Sequence, residues 1–444
     1  MDGGGLKIPG PVSRKWQEIS EGRGHEVEII VSQPIFGLTL DRMNRLYMGI
    51  VTGWGAVIGS AVSFMVGGAF IWAIVRLLRR DFPLSRVREA RIVALIFAGF
   101  FAIEALAGAV TYNGVVTLYE IGQNTLYLAF LPIYSRLSVS ERSGVRDAVE
   151  LAAMGGAYVA FAIALVESFG FGLRAEGGAG NAYPFALANF ITLTITFLAS
   201  QRAHGGWRVL FALAALASVG SIILSGTRGL WPGLIVVPAA CIWFYRDHIA
   251  RRYLLPSMAV FSVVLLAFGL FATPFVRDRV ELLIEDYGQI MEEGDYSGSV
   301  GQRLTVWKAG WQLVTEAPFF GHGPGHSKEL MIERTRAISG TTLSYSHFHN
   351  VFLNYAVRDG IPGALIVAMM LFGPVILAWR KNRDEMGDYG LAMTAGIATS
   401  FFLSGLLNNM IGHDLSDSLF IVGILTSLFF VFGSGRDSES RSSG

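Results

Sequence analysis

The sequence predicts an all-α polytopic membrane protein with about 12 transmembrane helices and one long, partly helical external loop. Three observations carry that expectation. Hydrophobic residues make up 52% of the 444 positions against 16% charged, and the mean hydropathy of +0.48 is too high for a water-soluble globule. Apolar runs of spanning length recur along the chain, separated by short arginine-bearing loops. One long polar segment, 274–349, interrupts them. A net charge of +1 supplies no bulk field for nucleic acid, and no basic stripe interleaved with aromatics is present, so a nucleic-acid partner is not expected.

Taken in order, residues 1–46 read as a cytoplasmic N-terminal segment. It contains Gly and charge but no apolar core followed by a small-residue cleavage site, so a removable signal peptide is not expected. Runs of spanning length follow near 47–75, 92–110, 114–134, 148–169, 184–199, 209–225, 230–245 and 254–273, then 350–378, 389–409 and 417–433. These divide into an N-terminal bundle (47–273), the loop (274–349), C-terminal membrane helices (350–433) and a cytoplasmic tail (434–444). The lone Cys241 sits inside an apolar run and reads as a small buried hydrophobe.

Orientation follows from the basic residues of the short loops. One set holds Arg76, Arg79, Arg80, Arg86, Arg88 and Arg91, then Arg136, Arg142 and Arg146, then Arg202 and Arg208. It continues with Arg246, Arg251 and Arg252, then Arg380, Lys381 and Arg383, and Arg436 and Arg441 in the tail. The alternate short loops hold only Arg174 and Arg228. This asymmetry puts the first set in the cytoplasm and the long loop outside. Run 47–75 is then best read as a tight hairpin turning near Gly59 to Ser63, because a single span would export Arg42 and Arg45. Each leg would be about 15 residues, roughly 22 Å of helix.

The external loop opens acidic, with Asp278, Glu281, Glu285, Asp286, Glu292, Glu293 and Asp295. Beyond it Leu304, Trp307, Trp311 and Val314 recur at helical spacing until Pro318, and Gly321-His322-Gly323-Pro324-Gly325 is a turn cluster. Four of the eight histidines, His322, His326, His347 and His349, fall in this loop. Histidine titrates near neutrality, so the concentration suits proton transfer or metal binding. A helical zinc pair is not available across HGPGH, and no cysteine or acidic run joins at ligand spacing, so no metal is expected.

Several charged residues stand at the outer edges of apolar runs. Arg228, in SGTRG, either snorkels and pairs with a span carboxylate or clamps an anion. Arg303 lies four residues before Trp307 on one helical face, an ordinary solvated loop arginine or a second finger of that clamp. His347 and His349 share a face only in extended chain. With a helix starting at Asn350, one imidazole is expected at its mouth and the other turned aside, His349 being the stronger candidate base. Glu104 and Glu120, inside runs, mark a proton pathway or serve as partners to arginines. No phosphate-binding GxxxxGK[ST] loop and no Asp-x-Asp pair is present, so no nucleotide-driven reaction is indicated.

Arg303 with Trp307, Pro318, Gly321-His322-Gly323, His349-Asn350, Leu353 and Gly360 resembles the signature of the O-antigen ligase and polymerase superfamily. SGTRG around Arg228 is similar to the family's other arginine motif. The resemblance implies transfer of a glycan from an undecaprenyl diphosphate carrier on the periplasmic face of the bacterial inner membrane. The acceptor would be a sugar hydroxyl of the lipid A core in a ligase, or the end of another carrier-linked chain in a polymerase. It further implies Arg228, Arg303 and His349 as catalytic residues, with no cofactor. Arg228, Arg303, Trp307 and, by proximity alone, His347 would bind substrate. Membrane lipids are the remaining expected partner. A transporter or flippase using Glu104 and Glu120 as a relay is the alternative from another class.

Overall fold

The computed structural model describes residues 39–79, 84–249, 284–285, 287–293, 296–340, 342–381 and 383–434. The expected span at 254–273, both termini and acidic positions 278, 281, 286 and 295 lie outside the described residues. The described chain is helical throughout, without a strand. Among the described residues, nine helices are long and apolar enough to cross a membrane.

α1 (Leu40–Gly53) and the one-turn α2 (Gly55–Ile58) run to a turn at Gly59, and α3 (Ala61–Leu78) follows. Gly59 has φ 55°. Tyr47 Oη donates to the Met65 carbonyl at 3.1 Å, and the Arg136 guanidinium covers both Tyr47 and Trp72, 4.9 and 5.1 Å from the rings. A straight helix would hold residues 47 and 72 roughly 37 Å apart, so the segment folds back as the expected hairpin. A Cβ on Gly59 would meet the Gly178 carbonyl at 1.8 Å, so only glycine lets the hairpin tip seat against that loop.

α4 (Arg88–Val110) is one long helix, but the expected span at 114–134 is not. It is split into α5 (Val115–Gln123), a 3-10 stretch (Asn124–Ala129) and α6 (Phe130–Arg136). The polar step at Gln123-Asn124 accounts for the break, since Asn124 spends its amide on Glu104 and the Glu120 carbonyl. α7 (Arg142–Leu165) ends in a π turn over Val166–Gly170. α8 (Ala182–Arg202) is capped by Asn181, α9 (Gly205–Leu224) leads into a 3-10 turn (Arg228–Leu230), and α10 (Gly233–Tyr245) carries Pro238. Then come α11 (Ser299–Glu316), α12 (Ser327–Ser339), α13 (Val351–Trp379), α14 (Glu385–Leu407) and α15 (Asp414–Phe432).

Almost every residue of α8 and α15 is buried, so these two helices form the centre of the bundle. The peripheral helices turn Leu95, Leu106, Ile71, Leu213, Ile235 and Leu365 outward, an apolar belt suited to hydrocarbon rather than water.

One end of the bundle is laced by ion pairs among the short basic loops. Arg142 meets Asp384 at 2.8 Å, Arg202 meets Glu150 at 2.5 Å, and Arg383 and His248 share Asp388 at 2.6 and 2.9 Å. The opposite end carries Arg174, Arg228 and the α11–α12 pair. Those two helices pack on the first turns of α13 through Val306, Leu313, Val314, Met331, Phe348 and Val357. Of the residues at helical spacing on α11, Val314 is buried and Trp307 half-buried, while Leu304 is 39% and Trp311 66% exposed; Gly310 lets Phe348 and Leu353 approach.

Candidate active site

The site grows from the junction where α11, the 342–350 connection and the N-terminal ends of α8 and α10 meet. Asn350 caps α13 by accepting from Leu353 N at 3.0 Å, and its amide reaches the Leu406 carbonyl at 3.3 Å. Phe348, fully buried, plugs the small core beneath. Between these two anchors His349 takes φ 51° and is the non-glycine residue with positive φ among those described. Such a conformation costs about 1 kcal/mol in an ordinary residue. It turns the ring to face His347 at 4.7 Å and Tyr345 at 4.5 Å.

The expectation that one histidine would turn aside is thus corrected. A helical register would have separated the rings, but the left-handed residue just before the cap brings them together.

Tyr345 Oη donates to Gln302 Oε1 on α11, which ties the histidine segment to the turn carrying Arg303. Burial pushes the His349 imidazole down, His347 and the Arg303 charge push it further, and it ends at about 4. His347, hydrogen-bonded to Ser346 at 2.9 Å, is also lowered, by burial first. Both rings are therefore neutral at pH 7 and able to accept a proton. Trp307 lies one turn beyond Arg303, half-buried, with its indole Nε1 unpaired.

Arg228 approaches from the other side. Gly226, with φ 65°, and the bond of 2.6 Å between Ser225 and Thr227 shape its turn. A Cβ at Gly229 would lie 3.3 Å from the Tyr183 hydroxyl, and Tyr183 in turn faces Arg303, Arg174 and Asn408. Asn408 also faces His347. Arg228 and Arg303 are both exposed at this end of the bundle. Tyr183 thus stands between Gly229, the neighbour of Arg228, and Arg303, and Asn408 links it to His347.

Sequence reasoning missed Tyr183, Asn408, Tyr345 and Arg174, whose Nε donates to the Ser225 carbonyl at 2.9 Å. Tyr183 and Asn408 lie at the edges of apolar runs without a charge, so nothing in their residue type marks them.

The other two histidines have local roles. His322 bonds the Leu313 carbonyl at 2.9 Å, and His326 stands at the start of α12. Among the described residues no three His, Cys, Asp or Glu side chains form a metal-binding group. Glu104 and Glu120 follow the partner-to-arginine alternative: Arg358, which the sequence did not single out, bonds both, Glu120 at 3.1 Å. A buried charge shared by two runs is the signal that could have found it.

Residues 213–368 match the family model described as O-antigen ligase. The matched segment contains Arg228, Arg303, Trp307, His347, His349 and Gly360. The chain is also similar to an uncharacterized protein of Haemophilus influenzae, 22% identical over 302 residues that cover 66% of this chain and 73% of that one.

Proposed function

We propose that this chain, a relative of the O-antigen ligase and polymerase superfamily through residues 213–368, is a metal-independent, inverting glycosyltransferase of the ligase type. It moves a glycan from undecaprenyl diphosphate to a sugar hydroxyl of the lipid A core. The supporting observation is the convergence of Arg303, near enough to depress the His349 imidazole, with the His347–His349 pair at the end of the bundle that bears Arg228.

A lipid diphosphate leaves readily once its charge is neutralised, and two guanidinium forks can do that without a cation. Arg228 and Arg303 take this role, with Trp307 and His347 lining the donor. His349, neutral and desolvated, accepts the proton of the acceptor hydroxyl as it attacks the anomeric carbon from the side opposite the diphosphate, so configuration inverts. The incoming diphosphate offsets the Arg303 charge and raises the basicity of His349 as the complex forms. The sugar–diphosphate bond supplies the driving force.

The reading includes a layout of twelve spans across the bacterial inner membrane. The ion-paired end lies in the cytoplasm, and 274–349 is a periplasmic domain between bundles 47–273 and 350–433. A polymerase would keep this chemistry and change only the acceptor. The transporter alternative is disfavoured because Arg358 engages both carboxylates of its relay.

Transfer by the purified protein in nanodiscs, without ion gradient or nucleotide, tests the class. Product on a lipid A core acceptor is expected, undiminished by EDTA. Product only on a second carrier-linked chain reassigns the protein as a polymerase, and absence of product on either acceptor overturns the reading.

A further inference from the structure

α13 is broken inside the membrane bundle. At Gly360 the backbone takes φ 75°, ψ −174°, outside the helical region. In an unbroken helix the Val357 and Arg358 carbonyls would face the nitrogens of Ile361 and Pro362, and proline has no N–H to give. Instead the Val357 carbonyl accepts from His322 N and the Arg358 carbonyl from Gly323 N, each at 2.8 Å. Ile361 N donates to the Pro318 carbonyl, also at 2.8 Å. The loop 318–323 is thus bolted into the break by three backbone bonds.

Side chains hold the seat from behind. Arg358 is buried, and its guanidinium forks to Glu104 on α4 and Glu120 on α5. The connection between those two helices also receives the loop: Asn113 Nδ2 bonds the Gly325 carbonyl at 3.4 Å, and a Cβ at Gly323 would strike Thr111 Oγ1 at 1.7 Å. At its other end the loop holds α11, through the His322 Nε2 bond to the Leu313 carbonyl. One guanidinium therefore joins three walls of a cradle whose contents lead to the helix bearing Arg303.

We propose that Arg358 is a positioning residue: by bridging Glu104 and Glu120 it fixes the broken turn of α13, the loop seated there, and so the distance of Arg303 from the His347–His349 pair. It does not touch the reacting groups. A single ammonium in its place cannot span both carboxylates. The consequence for transfer rests on the glycan-transferase reading, whereas the consequence for Arg303 does not.

The titration of His349, read by NMR of histidine-labelled protein in nanodiscs and assigned with His349→Gln, separates the two. The charged and titratable groups facing that ring are Arg303 on α11, and His347 and Tyr345 on its own segment. In Arg358→Lys the midpoint is expected to rise from about 4 toward the ordinary 6.5 as Arg303, the smallest of its three causes, withdraws, by a few tenths of a unit, with kcat/KM down about tenfold or more. Glu120→Gln, which keeps the Glu104 pair, should shift it the same way by less and serves if Arg358→Lys does not fold. A simple loss of folded protein would scale the signal at every pH without moving the midpoint. An unmoved midpoint in a folded variant overturns the positioning role. Because the titration needs no donor or acceptor, absence of transfer in the wild type would overturn the proposed function and leave this test standing.

Discussion

At the scale of single residues, the imidazole of His349, as the proposed base, sets the expected pH behaviour. Burial, then His347, then Arg303 lower it to about 4, and a general base works only when neutral. Sign follows directly: kcat/KM should stay level as pH falls from 7 and drop only as it passes through about 4. Removing the Arg303 charge with Arg303→Gln moves that acid limb up toward 6.5, and a wild-type limb already at 6.5 would contradict the geometry. His349→Ala should lower kcat by about 10²–10⁴-fold with insertion intact, measured as single-turnover transfer. The residues named from sequence were charged or titratable groups stranded beside apolar runs, which is why they were legible. Tyr183, Asn408 and Tyr345 were not, because an uncharged polar residue at a helix end is ordinary. Arg358 stayed hidden because its two partners lie in distant runs.

At the scale of elements, the break in α13 and the loop seated in it depend on glycines that combine a positive φ with no room for a Cβ, Gly360 and Gly321 among them. Gly360 lies in a region of backbone space open to glycine alone, and a Cβ there would stand 2.5 Å from the Phe319 carbonyl group; at Gly321, with φ 62°, it would stand 2.4 Å from that of Arg358. Gly340, with φ 71° at the end of α12, has no neighbour within 4 Å. Gly340→Ala should therefore cost about 1 kcal/mol of backbone strain and little activity. Gly360→Ala should cost more than about 3 kcal/mol and release the loop to protease. Equal effects in thermal unfolding and limited proteolysis would mean the seat is not what holds the loop. The interruption was readable in outline, since Gly-Ile-Pro-Gly cannot continue a helix. Its purpose was not, because the carbonyls it frees are used by residues some 35 positions earlier. The same limit holds on α11, where spacing marked Val314 but not Val306 and Leu313, which join it on the inner face where Gly310 lets Phe348 and Leu353 approach.

At the scale of the whole molecule, the charge pattern read from short loops has a physical counterpart. Arg142, Arg146, Arg202 and Arg383 all find their carboxylates at one end, while the opposite end gathers Arg174, Arg228 and the α11–α12 pair. The hairpin at 40–78 preserves this sorting, since its tip meets the loop at Gly178 and its base reaches Arg136. Basic residues in the long loop, such as Lys328 and Arg336, do not weaken the argument, because segments of that length cross regardless of charge. Orientation can be tested with cysteines, because the native Cys241 is buried in the bundle. In spheroplasts an impermeant maleimide should label Ser344→Cys and leave Asp247→Cys unmodified until the membrane is opened. The opposite pattern would put the histidines in the cytoplasm, where an exported lipid-linked glycan could not reach them.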